Sequence, residues 1–386
     1  MPVVDVIVIG AGLSGLIAAR DLQRANYTVA VLESRTRVGG RVLASPNGSV
    51  DLGGSWAWPA ECPHVLALGR ELGVEAVPQR TDGDAFHAHA GGVTNIGVRG
   101  QSVIPSGPGA VRPGYVEIAA RLAAGLGDAL HLEARVASVR KNGRLLDVIY
   151  GRDARVMRSR RVVVALPPAV LGSIVVFEPP LAPGKLAKAL RTATWCGDWV
   201  KLSLHCRSAF WRETGASGIV ATAGQPFEVY WEGGSKALVG LGVGPRALAF
   251  AKNSDQAALR HHALATLGPV FPMLRDQLES VHCQAWALED ETFAPGASER
   301  DYGHALLRAP TDWGVHFAGT ETERMNGHAE GAVVAGMRAA KEVHAALAGA
   351  MNMGDAALAG AMNMGDAALA GAMNMGDAEG ALGGSI

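Results

Sequence analysis

Cysteine is scarce and scattered. The 386-residue chain carries four, Cys62, Cys196, Cys206 and Cys283, with no CxxC pair among them. That argues against a zinc ribbon or a disulfide framework and fits reduced thiols in a cytoplasmic protein. Charge is equally thin: 18% of residues are charged and the formal net charge is −1. Bulk attraction to nucleic acid or to an anionic membrane surface is therefore not expected. No apolar run approaches the roughly eighteen residues of a membrane span, and MPVVDVIVIG lacks the basic start of a signal peptide. No spacing of Asp, Glu or His resembles a metal site. These absences leave a soluble, cytoplasmic protein whose partners are small molecules.

What is present is an apolar chain, 48% hydrophobic and longer than one core usually organises, so two lobes are expected. Its start is the most informative part. Val3 to Ile9 is rich in β-branched residues, GAGLSG follows, and LIAARDLQRA repeats its apolar positions at helical spacing. Thr28 to Leu32 reads as a second strand ending at Glu33, which completes a βαβ unit. Gly10, Gly12 and Gly15 thus form a GxGxxG turn in the setting that dinucleotide binding requires. The glycines permit close backbone approach, the helix N-terminus faces a pyrophosphate, and Glu33 can accept from a ribose hydroxyl. Ser14 in GLSG fits phosphate contact better than a hydrolase nucleophile. Just beyond, RTRVGGR offers Arg35, Arg37 and Arg41 with Gly39 and Gly40, a combination suited to phosphate recognition.

Farther along, residues 63–133 read as mainly helical around a Gly/Pro-rich interruption. Short strands flank Asn142-Gly143, a hairpin signal, and end in VVVALPP. WVKLSLHC, GIVAT, FEVYW and ALVGLGV alternate like strands of an antiparallel sheet, residues 255–267 read as a helix, and ESVHCQAW and GVHFAG return the chain to the first lobe. The fold expected is α/β, or α+β in two lobes: a Rossmann-like domain from 1–62, 134–171 and 283–346, and a substrate domain on an antiparallel sheet with helices from 63–133 and 172–282. The tail, 347–386, repeats LAGAMNMGDAA with a period of eleven. Eleven residues fit three helical turns, yet each glycine costs a helix roughly 1 kcal/mol relative to alanine. The tail is read as a frayed appendage, with a helical extension or homo-oligomer contact as the alternative.

At four blocks the sequence resembles the FAD-dependent amine oxidases, the family of monoamine, polyamine and L-amino-acid oxidases. The blocks are VIVIGAGLSGLIAARDL with Glu33, RVGGRV with DLGGSWAWP, WVKLSLHCRSAFW, and FAPGAS leading to GVHFAGTETERMNGHAEGAVVAGMRAA. The resemblance implies an FAD contacted by Gly10, Gly12, Leu13, Ser14, Gly15, Glu33, Ser34, Arg35, Gly39, Gly40 and Arg41. It further implies Gly53, Gly54, Ser55 and Trp56 beside the isoalloxazine, Val136 at adenine, and Gly319 and Glu321 near the ribityl and pyrophosphate groups. Trp286, His328, Ala329 and Ala332 complete the set, the last helix pointing its N-terminus at the N1–C2=O edge, where reduced flavin is negative. Lys201 matches the lysine that holds a water at flavin N5 and assists dioxygen. Hydride would pass from the CH–NH group of an amine or amino acid to N5, the imine would hydrolyse, and dioxygen would leave as hydrogen peroxide.

The chain also departs from that pattern. WALEDETFAPG contains no cysteine, so noncovalent FAD is expected. His328 stands where relatives carry one tyrosine of an aromatic cage, and Leu288 to Asp290 offer no second. That absence argues against a simple arylalkylamine, although Trp56, Trp58, Tyr230, Trp231 and Trp286 can rebuild an aromatic wall. The expected pocket residues are Trp56, Tyr230, Trp286 and His328. Glu330 reads as serving a helix N-terminus or a flavin hydrogen bond rather than proton transfer. Other readings are a desaturase or porphyrinogen-type oxidase acting on a C–C bond, or a noncatalytic flavin-bound interaction module.

Overall fold

The computed structural model describes residues 3–98, 109–112, 114–324 and 328–349; the repeats from residue 350 onward lie outside them. The chain divides into two compact units, Met1–Ala340 and Lys341–Ile386. In the second, residues 341–349 are helical.

The first unit is organised by the strand Val3–Ile9. Val6, Ile7 and Val8 are wholly buried, as a strand covered on both faces must be. It pairs in parallel with Val29–Leu32 on one side and Arg155–Val164 on the other. Leu130–His131 and Val315–Phe317 extend this parallel region at its two flanks. Ile9 lies opposite both Leu32 and Val164, and Val164 lies opposite Phe317. Four carboxyl ends therefore open onto one crevice, the place where open α/β sheets take ligands.

Arg155–Val164 also pairs antiparallel with Leu145–Tyr150, which pairs with Val136–Asn142 across a tight turn. Gly143 takes φ +61° there, the positive φ that makes Asn-Gly a hairpin signal. The second sheet runs Leu278–Ala285, Trp199–Cys206, Ala237–Val243, Val229–Gly234, Ala216–Thr222, Asp84–His89 and Gly92–Val98. Val200, Leu202 and Leu204 turn inward to a core with Phe227, Tyr230 and the helix Gln256–Leu267. Period-two alternation sends Lys201 to the other face. Asp255 starts that helix by accepting the Ala258 N–H at 2.8 Å.

The region 63–133 is less helical than its composition suggests. Helices Pro63–Glu71 and Tyr115–Leu126 bound it, but Glu75–Pro78, Asp84–His89, Gly92–Val98 and Gly109–Arg112 between them are strands. DAFHAH pairs with the following strand across the Ala90-Gly91 turn, His89 lying opposite Gly92, which takes φ +125°. Gly109–Arg112 joins Glu75–Pro78 and Trp56–Ala57 in a small sheet that sets the tryptophan segment in place.

The glycine turn has no slack. A β-carbon at Gly15 would stand 1.9 Å from the Gly10 carbonyl oxygen, and one at Gly336 2.5 Å from that of Ser14. Gly15→Ala should therefore destabilise the fold by about 3 kcal/mol, read as a lower denaturation midpoint.

Candidate active site

A cavity of about 400 Å³ extends from that crevice toward the second sheet. At its glycine end the helix Leu13–Arg24 begins at Gly12 with no side-chain cap, so its first N–H groups are free for an anion. Gly10, Gly12, Leu13 and Ser14 line the cavity together with Gly39 and Gly40. Gly12 and Gly39 are bridged, and a β-carbon on Gly40 would approach the Gly12 Cα to 3.2 Å. Any side chain here would fill the cradle. Gly15, expected on this surface, is not among the lining residues; it is spent on the contact with Gly10.

Glu33 is buried at the end of its strand, its Oε2 accepting the Ala11 N–H at 2.7 Å and its Oε1 the Arg35 N–H at 3.0 Å. It lines the cavity with Ser34, Arg35, Arg135 and Val136. Arg35 is tied to Glu289 at 2.8 Å and Thr292 at 3.0 Å. Arg37 does not line the cavity; it donates to the Gly40 carbonyl at 2.9 Å, and burial, then Arg35, pushes its pKa down.

Arg41 lies along the middle. Its guanidinium meets Glu321 at 2.7 and 3.1 Å and donates to the Trp195 carbonyl at 3.0 Å. Glu321, expected near the cofactor, is wholly buried behind Arg41 and off the cavity, where it also accepts the Trp195 N–H at 2.9 Å. Gly319 and Thr320 line the wall instead. Gly53 and Gly54 line the facing wall, and a β-carbon at Gly53 would stand 2.0 Å from the Arg41 carbonyl oxygen.

The far end is aromatic. Six of the eight tryptophans, Trp56, Trp58, Trp195, Trp199, Trp231 and Trp286, line the cavity, and Trp56, Trp58, Trp195 and Trp231 gather at this end with His328. Trp56 rests on Trp231 at 4.8 Å, and His328 lies 5.5 Å from Trp58 and 5.0 Å from Trp195. Tyr230, expected in this pocket, points the other way: its strand alternates, it is wholly buried, and its hydroxyl pairs with His262 Nε2 at 3.2 Å. Trp195 and Trp199 escaped the sequence reading. Their signal was TWCGDW, two indoles around a Gly-Asp turn directly before the lysine strand.

Lys201 is buried, its Nζ donating to the Gly53 carbonyl and Ser55 Oγ, each at 2.5 Å, and lying 5.7 Å from the Trp231 ring. Burial lowers its pKa to about 8, while Asp51 and Cys196 act to raise it. Burial likewise lowers the His328 pKa, against the opposing field of Glu61, so the imidazole is neutral at neutral pH. Among the described residues, His328 Nδ1 and Trp195 Nε1 are buried with no hydrogen-bond partner. They are the polar atoms left over for a ligand. Ala329 and Ala332 complete this end. Glu330 caps a different helix from its own: its carboxylate accepts the His64 N–H at 3.1 Å and the Val65 N–H at 2.8 Å, the first turn of Pro63–Glu71.

These features fit an FAD. The glycine cradle suits its pyrophosphate, the Glu33 end its ribose and adenine, and the wider end its isoalloxazine. Cys196 also lines the cavity, but burial raises its thiol to about 12. A protonated thiol is a poor nucleophile, in keeping with a noncovalent cofactor. Among the described residues no group of three or more His, Cys, Asp or Glu is placed to hold a metal ion, and no helix is long and apolar enough to cross a membrane.

Comparison with known proteins agrees with this geometry. Residues 13–101 and 94–344 match the family described as flavin containing amine oxidoreductase. The chain is 46% identical over 82 residues to an L-amino acid dehydrogenase of Synechocystis, an alignment covering 20% of this chain and 17% of that relative. With the flavin-containing amine oxidase B of Bos taurus it shares 25% identity across 88% of this chain and 86% of the relative. Among solved structures, cyclohexylamine oxidase from Brevibacterium oxydans superposes with a TM-score of 0.75 and 22% identity, over 90% of this chain and all of that one. That last likeness is one of fold.

Glu321→Gln should loosen Arg41 by replacing a charge-assisted bidentate pair with a neutral one. The expected result is about tenfold weaker FAD retention, measured by titrating apoprotein with flavin, together with a lower denaturation midpoint, because Arg41 loses its buried counter-charge.

Proposed function

Since the chain belongs to the flavin-containing amine oxidoreductases, we propose that it is an oxidase of monoamines bearing an apolar aliphatic or aromatic group. The CH–NH unit gives up two electrons and two protons to become an imine, which hydrolyses, and dioxygen takes up those two electrons and two protons to become hydrogen peroxide. Bound FAD supplies the two-electron relay between the two halves. The observation that carries the substrate class is the aromatic wall of Trp56, Trp58, Trp195 and Trp231 with neutral His328, Lys201 lying 5.7 Å from the Trp231 ring.

The cavity's acids sit elsewhere. Glu33 and Glu291 are at the opposite end, where Arg35 and Arg135 hold Glu291 at 3.6 and 3.1 Å. No carboxylate lines the cavity beside the tryptophans to meet the distal ammonium of a diamine, and Lys201, the cation nearest them, is already held by Gly53 and Ser55 rather than left for an amino-acid carboxylate. An apolar monoamine loses least on entering. Trp195 Nε1 and His328 Nδ1 provide its polar contacts. Lys201 below its pKa of about 8 repels an ammonium ion, which opposes the attraction that the tryptophan faces offer a cation. The free base is the form bound.

Lys201 acts in the oxidative half. Its ammonium, fixed by Gly53 and Ser55, supplies a positive charge where dioxygen acquires a negative one. A desaturase acting on a C–C bond would share the apolar wall, but it would have no use for the two unpaired polar atoms.

Anaerobic mixing with a series of amines tests the reading. Apolar monoamines should bleach the flavin, diamines and L-amino acids should do so poorly, and the apparent affinity should rise with pH toward the amine pKa. Failure of every amine to reduce the flavin would sink it. Lys201→Met should slow reoxidation by dioxygen about a hundredfold while leaving reduction nearly intact; equal loss in both halves would refute the role given to Lys201.

A further inference from the structure

Asp51 is a buried acid that the reaction as described does not use. It begins the segment DLGGSW and is 7% exposed. Its Oδ2 accepts the Tyr115 N–H at 3.4 Å. Among the described residues no donor reaches its Oδ1. The carboxyl also lines a second, separate cavity of about 10 Å³, with Ser55, Gln79, Arg112 and the two stacked indoles Trp56 and Trp231. That volume suits one water molecule, and such a polar lining can hold it.

The same short segment encloses Lys201. Its Nζ meets the Asp51 carbonyl at 3.4 Å, the Gly53 carbonyl at 2.5 Å and Ser55 Oγ at 2.5 Å. Ser55 therefore touches the ammonium and also lines the small cavity on which the Asp51 carboxyl opens. An isolated buried ammonium is costly, and three dipoles alone do not neutralise it. We propose that Asp51 is a positioning residue which, acting across Ser55 and the enclosed water site, keeps Lys201 protonated for its part in the dioxygen step.

Charges around the pair agree with this assignment. Burial raises Asp51 to about 7, with Lys201 foremost and Arg112 further off drawing it back down; burial lowers Lys201 to about 8, and Asp51 and Cys196 oppose that. The Tyr115 phenol and the Cys196 thiol face the pair as neutral groups, both pushed up by burial. Arg41 and Glu321 lie beyond Cys196 and neutralise each other. An ionised Asp51 and a protonated Lys201 each favour the other's charged form. Removing the carboxylate lets burial act on Lys201 unopposed, so its midpoint must fall.

The inference rests on the role given to Lys201 above, and the test separates the two. In holoenzyme labelled with 13Cε-lysine, the Lys201 signal is identified by its loss in Lys201→Met and titrated in wild type and Asp51→Asn. The expected result is a midpoint lower by about one pH unit or more in Asp51→Asn, with the alkaline fall in flavin reoxidation rate displaced equally and the reduction rate unmoved. An unchanged midpoint overturns the proposal. Should Asp51→Asn fail to fold, the reciprocal measurement decides. By linkage, Lys201→Met must raise the pH at which the infrared band of the buried carboxyl disappears, and a band that does not move overturns the proposal. If Lys201→Met reoxidises at the wild-type rate while the midpoint shift persists, the dioxygen role is lost and the pairing stands.

Discussion

The Arg41–Glu321 pair holds the cavity together. Glu321 has no contact with solvent, and its two oxygens take the Arg41 guanidinium and the Trp195 N–H. One buried carboxylate thus joins the glycine-rich turn after the second strand, the loop before the lysine strand, and the chain leaving Val315–Phe317. Breaking such a pair from one side leaves an uncompensated buried charge, which costs more than the pair itself contributes. Position along the chain separates these residues by 280 places; the carboxylate makes them neighbours.

The dinucleotide half was legible because its logic is local. A strand, a tight turn, a helix and an acid at the next strand end lie within a few dozen residues, and each glycine there answers to a backbone contact. Arg41 and the glycine pair before it were legible for the same reason. Glu321 was found but misplaced, because nothing local tells whether an acid faces a ligand or the arginine that faces it. Tyr230 and Trp231 show the limit more sharply. Neighbours on a strand point to opposite faces, and the register that decides which one meets the cavity is set by pairing with Ala237–Val243. The strands within 63–133 were hidden in part by their glycines, which read as interruption although one of them makes the hairpin turn.

Electrostatically the cavity is graded. At the Glu33 end, acids and arginines are interleaved and satisfy one another. At the tryptophan end Arg41 is neutralised by Glu321, and the compensation of Lys201 is hidden behind it in the 51–55 segment. A low-polarity region with one fixed cation strengthens any charge that develops there. Glu330 shows the same economy of acids. It leaves the cavity and caps the Pro63–Glu71 helix, so the wall that carries His328 and Ala329 is tied to the segment following Trp58.

Six indoles along one cavity give the molecule an optical property. Only Trp211, inside the second core, and Trp313 stand apart from the cavity. Ultraviolet emission from this protein is therefore dominated by the walls of the cavity. An isoalloxazine lodged among them absorbs where indoles emit, so occupancy registers as quenched emission without any added dye.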